Sequence, residues 1–254
     1  MFSLKEKKAI VTGGGSGIGR AIAVLFAKQG AEVHIVELSE ENSINVLEEI
    51  KAIGGKAFAY SCNIANQQEV IATLDKIGDF NILVNNAGIA HIGKADTTLE
   101  IDFDRVINVN VKGVYNCVYA AIPHLRNSGG GVILNMASIA ASLGLPDRFA
   151  YSTAKGAVIS MTLSIARDYI GENIRCNSIS PARVHTPFVD GFIAKNYAGK
   201  EKEMLEKLSK SQPIGRMAQP NEIAALALYL CSEEASFITG CDYPIDGGFV
   251  KLNT

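Results

Sequence analysis

The chain has 254 residues, of which 48% are hydrophobic and 20% charged, enough apolar side chains for one large core. Its formal net charge of -2 argues against nucleic-acid binding, which usually needs a basic surface. No apolar run reaches the roughly 18 residues of a membrane span, and residues 1–8 lack the apolar segment of a signal peptide. Five scattered cysteines without a CxxC pair, and four histidines without metal-ligand spacing, predict a cytoplasmic protein with free thiols and no bound metal.

Strand-like and helical patterns alternate along the chain. Strands are predicted at residues 8–12, 32–37, 56–62, 82–85, 131–136, 174–179 and 242–245. Most are continuous apolar runs, which are typical of strands buried on both faces of a parallel sheet. Helical patterns lie between them at residues 18–28, 39–53, 98–127 and 150–170. This order predicts an α/β fold, with a doubly wound parallel sheet of about seven strands and helices on both faces.

No linker or internal repeat divides the chain, so a single domain is predicted over residues 1–254. Residues 186–214 depart from the alternating pattern because they are polar, helical in character and inserted late in the chain, after the sixth predicted strand. We interpret them as a lid over a binding site, and the alternative is an ordinary surface excursion.

A glycine-rich turn joins the first predicted strand to the first helix. Glycines let a backbone turn tightly and approach a pyrophosphate closely, and the helix N-terminus offers free N–H groups to it. The position between a strand and a helix is the context that a dinucleotide site requires. The residues of the turn predicted to bind the cofactor are Gly13, Ser16, Gly17, Ile18 and Gly19.

The second predicted strand ends at Glu37. A carboxylate at this point accepts hydrogen bonds from the adenine ribose and repels a 2′-phosphate. Leu38 and Ser16 are uncharged, so neither offers a cation to such a phosphate. These residues favour NAD over NADP, and the alternative for Glu37 is a solvated strand end.

The glycine spacing, Gly-x-x-x-Gly-x-Gly, resembles that of the short-chain dehydrogenase/reductase family, and the resemblance continues over nearly the whole chain. Further matching motifs are Asn85-Asn86-Ala87-Gly88, Asn110, Ser138, Tyr151-x-x-x-Lys155, Pro181 with Thr186, and Asp246-Gly247-Gly248. The resemblance implies a single-domain Rossmann-like fold and further cofactor contacts at Asn63, Ile64, Asn86, Ala87, Gly88, Tyr151, Lys155, Pro181, Val184 and Thr186.

Two positions depart from the family pattern. Asn63 stands where the family often has an aspartate near the adenine, and Ala182 where it often has glycine. The side-chain carbonyl of an asparagine can still accept a hydrogen bond from an adenine amine. We therefore expect a modest change in cofactor affinity.

Tyr151 and Lys155 are four residues apart on a predicted helix and so share one face. A phenol titrates at about 10 in water, and we expect the ammonium of Lys155 and the positive nicotinamide together to lower the pKa of Tyr151 towards the range of a general acid or base. Tyr151 would then remove the proton from the alcohol oxygen of the substrate in oxidation and return it in reduction. Ser138 would hold the same substrate oxygen. The resemblance implies that Asn110 anchors a water linking Lys155 to solvent.

Three side chains are candidates for binding the substrate. Arg148 precedes Tyr151 by three residues, Arg183 follows the last long strand, and His91 follows the Asn85–Gly88 motif. A guanidinium suits a carboxylate, which it binds in bidentate fashion. The alternatives are a surface salt bridge of Arg148 with Asp147, and a solvated histidine at position 91.

The runs 173–177 and 213–216 are similar to a branch of the family that acts on small hydroxy acids and sugar acids. That branch comprises the cytosolic type of 3-hydroxybutyrate dehydrogenase and 2-keto-3-deoxy sugar-acid dehydrogenases. The resemblance implies an NAD-dependent dehydrogenase for such a small-molecule substrate. The alternatives are a sugar or polyol dehydrogenase without a carboxylate, a reductase of acyl-carrier-protein thioesters, and a non-catalytic nucleotide-binding protein.

The helical stretches 98–127 and 150–170 carry apolar residues around much of their circumference. Val111, Val114, Val118 and Ala121 continue one face, and Val158, Met161, Leu163 and Ile165 another. A helix that is apolar on several sides needs more than one partner. By resemblance we expect a homotetramer, with a dimer second and burial within one chain as the alternative.

Overall fold

The computed structural model of the chain describes residues 1–252, and at positions 188, 192, 195 and 196 it describes the backbone alone. Residues 253 and 254 of the predicted domain lie outside the described residues. The strands are β1 (Lys8–Thr12), β2 (Glu32–Glu37), β3 (Lys56–Ser61), β4 (Ile82–Asn85), β5 (Gly131–Met136), β6 (Ile174–Pro181) and β7 (Asp242–Ile245).

These seven strands form one parallel sheet in the order β3-β2-β1-β4-β5-β6-β7. The order reverses between β1 and β4, because the chain builds the sheet outward from β1 first in one direction and then in the other. In such sheets a crevice opens at the carboxyl ends of the strands on either side of the reversal. The predicted α/β fold and its doubly wound parallel sheet are confirmed.

Ten helices are described along the chain. They are α1 (Gly17–Lys28), α2 (Ile44–Ala52), α3 (Gln67–Ile77), α4 (Glu100–Ile107), α5 (Gly113–Asn127), α6 (Phe149–Tyr169), α7 (Pro187–Asn196), α8 (Glu201–Lys210), α9 (Pro220–Cys231) and α10 (Phe249–Leu252).

Each face of the sheet is covered by its own apolar core. On one face, Ile22 of α1 and Leu228 of α9 pack with Val11 of β1. On the other, Val70 of α3 and Val158 of α6 belong to a cluster that includes Ile10, the neighbour of Val11 on the same strand. Successive side chains of a strand point to opposite faces, so a strand covered on both sides is apolar throughout.

The helices differ from the predicted ranges in two ways. The predicted helix 98–127 is interrupted, because a π-helical turn at Asn108–Lys112 joins α4 to α5. The short helix α10 was not among the predicted ranges, and neither were α3 and α9. Both α3 and α9 begin with a capping pattern readable in the sequence: Asn66 accepts from backbone N–H groups at the start of α3, and Glu222 bonds back to the N–H of Gln219 at the start of α9.

Residues 186–214 contain α7 and α8 and cover one side of the crevice. The end of this segment is fixed, because the N–H of Ile214 donates to the carbonyl of Gly247, 3.1 Å away. Gly247 has φ +58, and a Cβ there would lie 2.6 Å from Ile214 Cγ2, so this turn requires glycine.

Among the described residues, no helix combines the length and the apolar character needed to cross a membrane. Nor do histidine, cysteine, aspartate and glutamate side chains gather there into a group that could hold a metal ion.

Candidate active site

A cleft of about 1860 Å³ opens at the carboxyl ends of the strands, where the sheet order reverses. Its wall begins at the glycine-rich turn after β1 and ends under the 186–214 segment. A cleft of this size exceeds the few hundred to about 1000 Å³ of most ligand pockets, so it has room for a dinucleotide and a small second molecule together.

Most of the predicted site residues line this cleft. They are Gly13, Ser16, Gly17, Ile18, Glu37, Asn63, Ile64, Asn86, Ala87, Gly88, His91, Ser138, Arg148, Tyr151, Lys155, Pro181, Arg183, Val184 and Thr186. Two predicted residues, Gly19 and Asn110, are buried behind its wall.

The glycine-rich turn requires its glycines for close packing. Gly13 has φ +65, and a Cβ there would lie 2.8 Å from the Cα of Ala87. A Cβ on Gly19 would lie 2.0 Å from the carbonyl oxygen of Gly13. Gly19 therefore shapes the turn from behind, while Gly13, Ser16, Gly17 and Ile18 face the cleft at the start of α1. A phosphate would meet free N–H groups there, so the turn fits the dinucleotide expected from the sequence.

The loop after β4 is bonded to the end of β1. The side-chain amide of Asn86 donates to the carbonyls of Thr12 and Gly13, at 3.1 and 3.0 Å. The hydroxyl of Thr12 accepts from the backbone N–H groups of Asn86 and Ala87, at 3.0 and 3.1 Å. Thr12 is not among the predicted site residues, although a hydroxyl at the last position of β1 was the available signal. It holds the two walls of the crevice together.

Glu37 faces the cleft at the end of β2, and its Oε1 accepts a 2.8 Å hydrogen bond from the N–H of Gly15. The neighbouring Leu38 is 71% exposed. Asn63 faces the cleft after β3, where its side-chain carbonyl accepts from the N–H of Ala65 at 3.0 Å. A carbonyl oxygen has two lone pairs, so one remains for a ligand.

Ser138, Tyr151 and Lys155 lie together at the other end of the cleft. Ser138 follows β5, and its Oγ accepts from the N–H of Ala140 at 3.2 Å. Tyr151 and Lys155 are one turn apart on α6. The ammonium of Lys155 donates a 2.6 Å hydrogen bond to the carbonyl of Met136, the last residue of β5.

Burial dominates the protonation of the tyrosine and the lysine. It raises the pKa of Tyr151, while hydrogen bonding to Ser138 and the charge of Arg148 act in the opposite direction. Burial lowers the pKa of Lys155 to about 8. In the protein without cofactor, desolvation of the phenolate outweighs the nearby charges, and Lys155, whose ammonium is bonded to a carbonyl, is not among the groups found to lower the pKa of Tyr151. The lowering expected from the sequence depends on the bound nicotinamide as well as on Lys155, and it stays a prediction.

Asn110 lies in the π-helical turn and is fully buried. Its Oδ1 accepts from the N–H of Ile89 and its Nδ2 donates to the carbonyl of the same residue, both at 2.8 Å. A Cβ on Gly88 would lie 3.2 Å from Asn110 Oδ1 and 3.6 Å from Lys155 Nζ. The asparagine thus fixes the loop that passes beside Lys155.

Arg148 lies at the start of α6, against the segment after the Asn85–Gly88 motif. Its guanidinium donates to the backbone carbonyl of Asp147 at 3.1 Å, and the carboxylate of Asp147 forms no ion pair with it. Arg183 follows β6, and its Nε donates to the hydroxyl of Ser211 at 3.2 Å. Within residues 1–252 neither guanidinium pairs with a carboxylate. Burial is the main reason that the pKa of Arg183 is lowered, and the charge of Arg148 adds to the lowering.

His91 lines the cleft with its ring half-buried. Its Nδ1 lies 3.8 Å from a carboxylate oxygen of Asp102. Its Nε2 is buried and has no hydrogen-bond partner among the described residues.

Pro181, Val184 and Thr186 form the wall of the cleft between β6 and α7. Val184 is buried and pairs with Ala218 across an isolated bridge. The hydroxyl of Thr186 accepts from the N–H of Val189 and so caps the start of α7. Residues not predicted for the site also line this end, among them Tyr197, Met204, Leu208 and Phe249.

Comparisons with known proteins agree with this arrangement. A family model described as enoyl-(acyl carrier protein) reductase matches residues 13–250. An uncharacterized oxidoreductase of Thermotoga maritima is 39% identical over 97% of this chain and 98% of that protein. The 2-keto-3-deoxy-L-fuconate dehydrogenase of Xanthomonas campestris is 34% identical over 97% of this chain and 81% of that protein.

A solved structure of L-sorbose reductase from Gluconobacter frateurii, in complex with NADPH and L-sorbose, is similar throughout. Its TM-score is 0.94 at 29% sequence identity, and the match covers 99% of each chain. The chain therefore belongs to the short-chain dehydrogenase/reductase family, oxidoreductases that act on alcohols and sugars with a nicotinamide cofactor.

Proposed function

We propose that this chain is an NAD-dependent dehydrogenase that transfers hydride between the nicotinamide and the secondary alcohol or ketone carbon of a small hydroxy acid or sugar acid. The observation that carries the substrate class is the pair Arg148 and Arg183. Both line the cleft with Tyr151, and neither has a carboxylate partner in the described part of the chain. A cation in a partly desolvated cleft is costly without an anion, and a substrate carboxylate supplies one.

The preference for NAD rests on the far end of the cleft. Glu37 presents a carboxylate where the adenine ribose would lie, and the exposed side chain next to it is the uncharged Leu38. A 2′-phosphate would meet this negative charge without a cation to balance it. The proposed cofactor contacts are those predicted from the sequence, with Gly19 acting through the shape of the turn.

The proposed chemistry uses four side chains. Oxidised nicotinamide, when bound, would supply the hydride acceptor and a positive charge that favours the phenolate of Tyr151. Tyr151 removes the alcohol proton in oxidation and returns it in reduction. Ser138, which acts to lower the pKa of the phenol, would hold the same substrate oxygen. Lys155, fixed by the Met136 carbonyl, would bind the nicotinamide ribose, and Asn110 would hold the loop and a water that link Lys155 to solvent.

On the substrate side, Arg148 and Arg183 would bind the carboxylate, and His91 would contact a substrate hydroxyl. The lid role of residues 186–214 is supported by Met204 and Leu208 of α8, which line the cleft. Closing such a segment excludes water from the reacting atoms.

We also propose a homotetramer. Val114, Val118 and Val158, which suggested the interface in the sequence, are buried in the core of their own chain. Leu163, which also suggested the interface in the sequence, is exposed, and it leaves an apolar surface on these helices together with Ile101, Tyr115 and Tyr119. A second copy of the chain would cover that surface.

We further propose a cytoplasmic location. The free thiols of all five cysteines support it, because thiols stay reduced in that compartment.

The test measures NADH formation with hydroxy acids, sugar acids, aldoses and polyols, in the wild type and in Arg148→Ala. Arg167→Ala, an exposed arginine of the same helix, is the matched control. The proposal requires turnover of carboxylates with a KM that rises at least about tenfold in Arg148→Ala alone. Turnover of neutral sugars or polyols, unaffected by the substitution, would assign the enzyme to the sugar and polyol dehydrogenases instead. Binding of NAD without turnover of any alcohol would indicate a non-catalytic nucleotide-binding protein.

A further inference from the structure

The backbone of Arg183 is fixed firmly at the rim of the cleft. The N–H of Ala218 donates to the carbonyl of Arg183, and the carbonyl of Ala218 accepts from the N–H of His185, both at 2.9 Å. These two bonds flank the bridge between Val184 and Ala218. The backbone of Arg183 is therefore held by this bridge to Ala218, a residue outside the lid.

The side chain of Arg183 reaches from this fixed point to the lid. Its Nε donates to Oγ of Ser211, the residue that ends α8. The same oxygen donates to the carbonyl of Leu208 at 2.7 Å and accepts from Gln212, whose side chain is buried. Ser211 thus joins the guanidinium to the last turn of α8, and Leu208 of that turn lines the cleft.

The guanidinium of Arg183 carries a positive charge that the protein leaves unbalanced. It is largely buried, and burial is the main reason that its pKa is lowered; the charge of Arg148 adds to the effect, and Tyr197 opposes it. No carboxylate pairs with it among the residues the structure describes, and a neutral hydroxyl does not neutralise a charge. A desolvated cation of this kind is stabilised strongly by an arriving anion.

We propose that Arg183 and Ser211 form a connection through which the acid group of the substrate positions the lid. An anion bound to the guanidinium fixes its orientation, and the bond from Nε to Ser211 then holds the end of α8 against the cleft. Ser211 is a positioning residue, since it acts on the substrate through Arg183. This inference rests on the proposed function, because it takes the substrate to be an acid.

The connection makes acid binding and lid docking reciprocal. If a bound anion holds α8 in place, then holding α8 in place must strengthen anion binding by the same factor. Removing the Ser211 hydroxyl should therefore weaken the binding of an acid and leave the binding of a neutral molecule of the same skeleton unchanged. A merely structural role for Ser211 would affect both alike.

The experiment uses the full chain with NAD and two probes, malonate and its neutral counterpart propane-1,3-diol. Titration calorimetry measures each Kd, and hydrogen exchange follows the backbone amides of residues 201–210 with and without each probe. The variants are Ser211→Ala, Ser211→Thr, which keeps the hydroxyl, and Ser209→Ala. Ser209 is the matched control, because its hydroxyl also bonds a carbonyl one turn back, that of Leu205, without contacting Arg183.

In the wild type we expect malonate, and not the diol, to slow exchange in α8. In Ser211→Ala the Kd of malonate should rise about tenfold and its protection of α8 should be lost. Ser211→Thr and Ser209→Ala should behave as the wild type does. If malonate binding is weakened by Arg148→Ala but its Kd and the protection are unchanged in Ser211→Ala, the inference is overturned and the proposed function stands. If malonate binds the wild type no better than the diol, the acid substrate is contradicted and the inference falls with it.

Discussion

The ammonium nitrogen of Lys155 lies 5.8 Å from the centre of the Tyr151 ring and is bonded to the carbonyl of Met136. The lysine is therefore held by the end of β5 beside the phenol, where only 5% of its surface is exposed. Its charge is costly there, because the one neutral carbonyl described as bonding to it does not replace its hydration. The buried Lys155 of the proposed catalytic site thus lowers the stability of the protein without cofactor.

Replacing this lysine should stabilise the free protein. Folding lowers the pKa of Lys155 from 10.5 to about 8. At a pH where the lysine is charged in both the folded and the unfolded chain, this shift destabilises the folded state by about 3 kcal/mol. The loss of the hydrogen bond to Met136 offsets about 1 kcal/mol of the gain. Lys155→Met should therefore raise the free energy of unfolding by about 2 kcal/mol at pH 7, measured by urea denaturation, while turnover is lost.

The same comparison has a defined pH dependence. Between about pH 8 and 10.5 the unfolded chain keeps the proton of Lys155 and the folded chain has lost it, so this group makes the wild type more stable as the pH rises. The excess in the free energy of unfolding of Lys155→Met over the wild type should therefore shrink across that window. All other titrating groups are present in both proteins, so their effects cancel in this difference. An excess that is constant from pH 7 to 10 would contradict the buried, perturbed lysine.

Thr12→Val should loosen the crevice without changing the shape of the side chain much. The substitution leaves the N–H groups of Asn86 and Ala87 without their acceptor at a position that is 2% exposed. We expect a loss of about 2 kcal/mol in stability and a Kd for NADH about tenfold higher, measured by denaturation and by NADH fluorescence. Thr12→Ser keeps the hydroxyl and serves as the control. Equal values for all three proteins would show that this hydroxyl does not hold the two loops.

The choice of cofactor should follow Glu37 and Leu38. In Glu37→Ala with Leu38→Arg, the repelling carboxylate is removed and a guanidinium is placed where a 2′-phosphate would lie. The ratio of kcat/KM for NAD to that for NADP should fall by at least about 100-fold. Glu41→Ala, an exposed acid on the following turn, should leave the ratio unchanged. A wild type that already prefers NADP would refute the role assigned to Glu37.

Much of the fold could be predicted from the sequence because both faces of the sheet are covered. Strands β1 and β4 have continuous apolar centres, Ala9–Val11 and Ile82–Val84, and the glycine-rich turn after β1 marks where the chain passes from a strand to a helix. The π-helical turn could not be predicted, since its sequence, Asn108–Lys112, continues the apolar pattern of the helices around it. It arises where the buried Asn110 bonds to Ile89, a contact between distant segments.

In the candidate site, too, some features could be predicted from the sequence and others could not. Motif residues such as Tyr151 and Glu37 lie in the cleft as predicted, because each follows directly from a strand end or helix turn. The raised pKa of Tyr151 in the protein without cofactor could not be predicted, since spacing shows which groups are near and not how deeply they are buried. Ser211 belongs to no recognised motif, and its hydrogen bond with Arg183 depends on how residues 186–214 fold over the cleft.

The most direct test of the account is turnover and NADH binding in Tyr151→Phe. In the proposed mechanism the phenol hydroxyl exchanges the proton with the substrate, so kcat should fall by about 10³-fold or more, while the Kd for NADH stays within about twofold of the wild type. Tyr169→Phe, at the far end of the same helix, should keep full activity. Near-normal turnover in Tyr151→Phe would contradict the proposed mechanism at its centre.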